Sequence, residues 1–128
     1  MDRPTVLIVE AELLIRHPLA EYLRECGYRV VEAANADEAR QIIAAGMTPI
    51  EVVLADVEAP AVGGFALSTW IRKEHRGIQV ILAGSPARAV EKAGGLCEDG
   101  PYLARPYDHQ LVLARIRRQL AARDRKDG

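Results

Sequence analysis

Five short apolar runs alternate with five longer segments whose apolar residues recur every three or four positions, and this alternation constrains the chain more than any other feature. Thr5–Val9 is a continuous apolar run, too short for a helix and rich in β-branched residues, so it reads as a buried strand. Val52–Ala55 is a second such run and ends in Asp56. Ile78–Ala83 forms the fourth strand, and Tyr102–Ala104 a short fifth. Tyr28–Ala33 alternates weakly and reads as an edge strand.

The segments between them carry helical spacing. Leu13 to Cys26 places Ile15, Leu19, Leu23 and Cys26 on one face, with Gly27 as the stop. Pro18 inside this stretch removes a backbone hydrogen bond and predicts a kink or a late start. Asn35 followed by Glu38 has the form of an N-cap and capping box, and Gly46 ends the helix that begins there. Gly63-Gly64 opens a helix with Leu67, Trp70 and Ile71 on one side, and Gly77 closes it. Pro86–Ala93 predicts a short, weak helix and Gly94–Pro101 a loop. A last helix from about Asp108 to Ala122 turns Leu113, Ile116 and Leu120 inward, ahead of a charged tail from Arg123. Strict alternation of this kind predicts a doubly wound α/β fold, a five-stranded parallel sheet with helices on both faces. The expectation is a single domain over residues 1–128, with no second output domain.

Composition narrows the function. Hydrophobic residues make up 49% of the chain, enough for a core without metal or disulfide support. Aromatics are 5%, which speaks against base-stacking platforms, and a net charge of −1 gives no field toward nucleic acid or membrane. Cys26 and Cys97 stand far apart, in no metal-ligand spacing, and predict free thiols in a reducing cytosol. The N-terminus lacks signal-peptide character and no apolar run is long enough to span a bilayer, so a cytoplasmic location is expected. His17, His75 and His109 lie at unrelated positions and predict surface or capping roles, and Trp70 predicts core packing. The basic residues of the last helix, Arg115, Arg117 and Arg118 among them, read as a solvated face that complements the helix dipole.

In open α/β sheets the functional crevice lies beyond the carboxyl ends of the strands, where strand order reverses. For order 2-1-3-4-5 that point falls between the first and third strands. Glu10, Ala11 and Glu12 follow the first strand, and Asp56 ends the third. Adjacent parallel strands lie ~4.8 Å apart, so acids at their ends share one pocket. Clustered carboxylates repel one another unless a cation joins them or one oxygen serves as a nucleophile. A hard ion such as Mg²⁺ suits an all-oxygen site. A flavodoxin-type binder would need a phosphate-cradling loop rich in Gly, Ser and Thr, where this chain has Glu-Ala-Glu, so no organic cofactor is expected. No set of base, nucleophile and oxyanion donors is visible, so an enzyme with a diffusible substrate is not expected either.

Three segments carry a resemblance. Val6-Leu7-Ile8-Val9-Glu10-Ala11-Glu12 resembles the opening of response-regulator receiver domains, where an acidic pair follows the first strand. Val53-Leu54-Ala55-Asp56, with Pro60, Gly63-Gly64 and Phe65, resembles their phospho-acceptor strand and the loop after it. Tyr102-Leu103-Ala104-Arg105-Pro106-Tyr107 resembles their fifth strand, an aromatic followed three residues later by a lysine and then a proline. The likeness covers essentially the whole chain and implies a flavodoxin-like receiver of two-component signalling. A histidine kinase or phosphotransfer protein would then phosphorylate Asp56, with Mg²⁺ held by Glu10, Asp56 and the backbone carbonyl of Glu58. Tyr102 would be the switch aromatic and Pro106 the proline after a cis bond. Output would pass to a protein partner through the face of helix four, strand five and helix five, from a monomer or weak homodimer.

The pocket departs from that pattern at three places. Ala11 replaces the second acid, so Mg²⁺ binding should be weak. Arg105 replaces the lysine, a planar fork in place of a point charge. The threonine or serine position falls on Gly84, with Ser85 one residue late and able to enter only through a bulge. Two readings follow, a working receiver with an unusual pocket and a pseudo-receiver that signals by binding without phosphorylation. The lost acid and open Gly84 also predict that Arg105 pairs directly with Asp56 or Glu58.

Overall fold

The computed structural model describes residues 4–56 and 63–99 with Ala114 and Arg118, and gives residues 56, 64, 86 and 97–99 as backbone alone. Within them β1 (Thr5–Val9), β2 (Arg29–Ala33), β3 (Val52–Asp56) and β4 (Gln79–Ala83) alternate with α1 (Leu13–Glu25), α2 (Ala36–Ala45), α3 (Gly64–Glu74) and α4 (Pro86–Asp99). The strands form one parallel sheet in order β2-β1-β3-β4, the expected order as far as the fourth strand. Tyr102–Ala104 and most of the last helix lie outside the described residues, although Ala114 and Arg118 are helical as expected.

Alternation along the strands divides the core between two faces. Val6, Ile8, Val52 and Leu54 pack against Ile15, Leu19 and Leu23 of α1 and Ala89, Val90 and Ala93 of α4. Leu7, Val9, Val53 and Ala55 pack on the other side with Ala39 and Ile43 of α2 and Leu67 and Ile71 of α3. Every residue of β1 is buried, as a strand covered on both faces must be. Trp70 packs at the margin of the second cluster, in the core role its spacing predicts.

The helix ends show how local sequence sets the boundaries. Gly27, at φ 101°, lets the chain reverse after α1, and its N–H donates to the Arg24 carbonyl while Tyr28 donates to that of Leu23. This double closure is a Schellman motif. α1 starts at Leu13 and runs through Pro18, so no late start occurs. The carbonyl that Pro18 leaves without a donor belongs to Leu14, which is 83% exposed, and water can take its place. At α2, Asn35 Oδ1 accepts from the Glu38 N–H at 2.9 Å, as expected of the cap. The Glu38 carboxylate reaches one residue further back than a standard box, to the Ala34 N–H at 3.2 Å. α3 ends at Glu74 with His75 as C-cap, short of the expected Gly77.

Two expectations are corrected. α4 continues through Gly94 and Gly95 to Asp99, where a loop was expected from Gly94. Two glycines cost about 2 kcal/mol of helix propensity, but Ala89, Val90, Ala93 and Leu96 form a continuous apolar edge against the sheet. The Tyr28 hydroxyl adds a 2.8 Å bond to the Leu96 carbonyl. Cys26, expected as a free thiol, is disulfide-bonded. The chain's other cysteine, Cys97, falls on α4, which packs on the same sheet face as α1. Separation in sequence carries no sign of that bond.

Candidate functional site

The site is assembled at the carboxyl edge of the sheet, between its two central strands. Val9 pairs with Ala55, so Glu10 and Asp56 follow at the same level on adjacent strands. Asp56 in turn pairs with Ala83, which sets Gly84 just past the end of β4. The crevice expected from the reversal of strand order is therefore where the backbone places these residues.

Glu10 is held on every side. Its N–H donates to the Ala33 carbonyl at 3.0 Å, and its own carbonyl accepts from Arg16 Nη1 at 2.9 Å. Its carboxylate turns toward α1, where Oε2 accepts the Glu12 N–H at 3.2 Å. The residue is 4% exposed, so its carboxyl is aimed by hydrogen bonds and not by free rotation. Ala11 and Glu12 are exposed, and Ala11 contributes no oxygen to the crevice. Among the described residues, no three acidic or other metal-binding side chains come together. Hard carboxylate oxygens at positions 10 and 56 remain a donor set that suits a cation keeping most of its water.

Ser85 has a definite task. Its Oγ accepts the Arg88 N–H at 3.2 Å, and its carbonyl accepts from Ala89 at 3.0 Å. With Pro86 in the first helical position, Ser85 is the N-cap of α4. Gly84 is exposed, and a Cβ added there would meet nothing within 4 Å. Glu58, Tyr102, Arg105 and Pro106 lie outside the described residues, as do the expected Arg105 ion pair and the cis bond.

A second layer escaped the sequence reading. Arg16 spans from the Glu10 carbonyl to Glu32 of β2, with Nε donating to Oε1 at 3.1 Å. Arg24 Nη2 and His17 Nδ1 approach the other Glu32 oxygen at 3.4 and 3.5 Å. Burial pushes the Glu32 carboxyl up, but hydrogen bonds from Arg16 and His17 and the charge of Arg24 outweigh it and hold the group below its ordinary value. The available signal was one acid in the otherwise apolar stretch Val30 to Ala33. His75, by contrast, caps α3, and its ring centroid lies 4.8 Å from that of Trp70 at a tilt of 54°, a structural role as expected.

An open parallel sheet in this order, with acids at the carboxyl ends of its central strands, defines a flavodoxin-like α/β protein. The model of the response regulator receiver domain matches residues 6–117, and the chain belongs to that family. It is 31% identical over 123 residues to the aerobic respiration control protein ArcA of Escherichia coli, across 94% of this chain and 50% of ArcA. It is 30% identical over 115 residues to the uncharacterised transcriptional regulatory protein YbdJ of Bacillus subtilis, across 90% of this chain and 50% of YbdJ. The chain thus spans about half the length of these relatives. Response regulator TrrA of Thermotoga maritima, whose crystal structure holds Mg²⁺ and BeF, superposes with a TM-score of 0.57 at 31% identity, across 62% of this chain and 68% of TrrA. The chain is a receiver domain of two-component signalling with the receiver fold. Among the described residues no helix is long and apolar enough to cross a membrane.

Proposed function

We propose that this receiver accepts a phosphoryl group on Asp56 from the phosphohistidine of a histidine kinase or phosphotransfer protein. The observation that carries the reading is the level placement of Glu10 and Asp56 on adjacent strands at the carboxyl edge of the sheet. An Asp56 carboxylate oxygen bonds to phosphorus as the P–N bond to the donor imidazole breaks, and the released imidazole takes up a proton. Mg²⁺, when bound, neutralises charge on the phosphoryl oxygens. Glu10, Asp56 and the Glu58 carbonyl would hold it, weakly, because Ala11 leaves more of the shell to water. Ser85 keeps a hydroxyl proton to donate while it caps α4, and Arg105 supplies the cation of the lysine position. Tyr102 and Pro106 then serve as switch aromatic and cis-proline, and a protein partner reads the face of α4 and the elements after it. With a net charge of −1, this domain has no field for nucleic acid, and its place is the cytoplasm.

The test is incubation with acetyl phosphate and Mg²⁺ followed by intact-mass measurement. The reading expects a gain of one phosphoryl group, absent in Asp56→Asn. A wild-type protein that gains no mass would overturn it and leave a phosphorylation-independent interaction module.

A further inference from the structure

We propose that Glu32, on edge strand β2, is a positioning residue for the Glu10 carboxylate and acts through Arg16. The inference rests on the receiver reading for its consequence, and on the contacts alone for its geometry.

The Arg16 guanidinium is engaged at both ends. Nε donates to Glu32 Oε1 at 3.1 Å, and Nη1 donates to the Glu10 carbonyl at 2.9 Å. A planar fork held at two points cannot swing, which a lysine ammonium could not reproduce. The Arg16 and Glu32 side chains are 16% and 20% exposed, so water competes weakly for the pair. Arg24 and His17 occupy the second Glu32 oxygen, at 3.4 and 3.5 Å, and so leave Oε1 to Arg16.

Fixing Arg16 fixes Glu10. The Glu10 N–H is tied to Ala33 of β2 and its carbonyl to Arg16, so both peptide planes that set the direction of its side chain are anchored on the same strand. The arrangement then closes on itself. Glu10 Oε2 accepts the Glu12 N–H, the Glu12 carbonyl accepts the Arg16 N–H at 2.8 Å, and Arg16 returns to the Glu10 carbonyl. Ala11 supplies no acid, and the crevice depends on where Glu10 points.

The test uses Glu32→Ala, Glu32→Gln and Arg16→Lys, with two readouts. One is hydrogen exchange at the Glu12 amide, which reports the bond to Glu10 Oε2 without any metal. The other is Mg²⁺ affinity by amide shifts. Glu32→Ala and Arg16→Lys should each lower Glu12 protection, relative to the β1 and β3 amides, by about fivefold, the worth of one ordinary hydrogen bond. They should weaken Mg²⁺ binding by a similar factor. Glu32→Gln, which keeps an oxygen for Arg16 Nε, should restore most of both. A merely structural role would lower protection evenly across β1 and β2 and overturn the proposal. Wild-type protection at Glu12 in Glu32→Ala would overturn it too. Should wild type bind no Mg²⁺ while Glu12 protection still follows the series, the receiver reading of the crevice fails and the positioning role stands.

Discussion

Ser85→Ala separates two tasks that one hydroxyl can perform. The Oγ accepts the Arg88 N–H at 3.2 Å and so satisfies one of the free donors in the first turn of α4. Alanine leaves that exposed donor to water, at a cost of about 1 kcal/mol. For a chain of 128 residues this corresponds to a fall in Tm of roughly 3–5 °C. Glycine, a tolerable N-cap, should cost only a few tenths of a kcal/mol. Aspartate should preserve the cap, since its carboxylate accepts the same N–H beside the positive end of the helix. Thermal unfolding followed by circular dichroism therefore ranks wild type and Asp above Gly, and Gly above Ala. Phosphorylation by acetyl phosphate ranks them differently. Asp repels the incoming phosphoryl group, and Gly and Ala both lack the donating proton, so all three should slow uptake. Equal stability of Ser85→Ala and wild type would refute the capping argument. Uptake unchanged in all three would remove Ser85 from the pocket and leave the hydroxyl position empty at Gly84.

Four further outcomes are expected. Ala11→Asp restores a carboxylate beside Glu10 and should tighten Mg²⁺ binding several-fold in an amide-shift titration. The Glu32 carboxyl is held below its ordinary value of 4.5, so its stabilising contribution is complete above that pH and is lost as pH falls through the folded-state value. Glu32→Gln should flatten the acid limb of a urea-denaturation series below about pH 4.5, and an unchanged limb would contradict the network. Reducing agent should lower the Tm of wild type, since a native disulfide contributes about 2–4 kcal/mol, and should leave Cys26→Ser unaffected. The expected pairing of Arg105 with Asp56 or Glu58 predicts that Arg105→Ala destabilises the fold more than the tail substitution Arg123→Ala, because removing one partner of such a pair leaves the other charge alone. Equal thermal shifts would dispose of that pair.

Much of the architecture is legible in the sequence because its signals are local. A five-residue apolar run such as Thr5–Val9 cannot be a helix, and Gly27 and Asn35 announce helix ends by the chemistry of a single residue, a free φ in one and a capping side-chain oxygen in the other. The boundary of α4 is not local. Gly94-Gly95 reads as a break, and only the sheet that Val90, Ala93 and Leu96 cover makes the helix worth continuing. Ser85-Pro86 does carry a cap signature, a serine directly before a proline at the first helical position. At the site, Glu10 and Asp56 follow from strand ends and fold topology. The Arg16–Glu32 bridge does not, because it joins a helix to a neighbouring strand across 16 residues and no periodicity encodes it. The disulfide at Cys26 escapes for the same reason.

Phosphoryl transfer to a carboxylate oxygen of Asp56 leaves a product that can be located chemically. Protein treated with acetyl phosphate and Mg²⁺ can be reduced with borohydride, which converts an acyl phosphate to an alcohol, and then digested for peptide mass mapping. The reduced side chain should be found at Asp56 and nowhere else, and Asp56→Asn should show none. Reduction at Glu10, at Glu58 or at no position would contradict it.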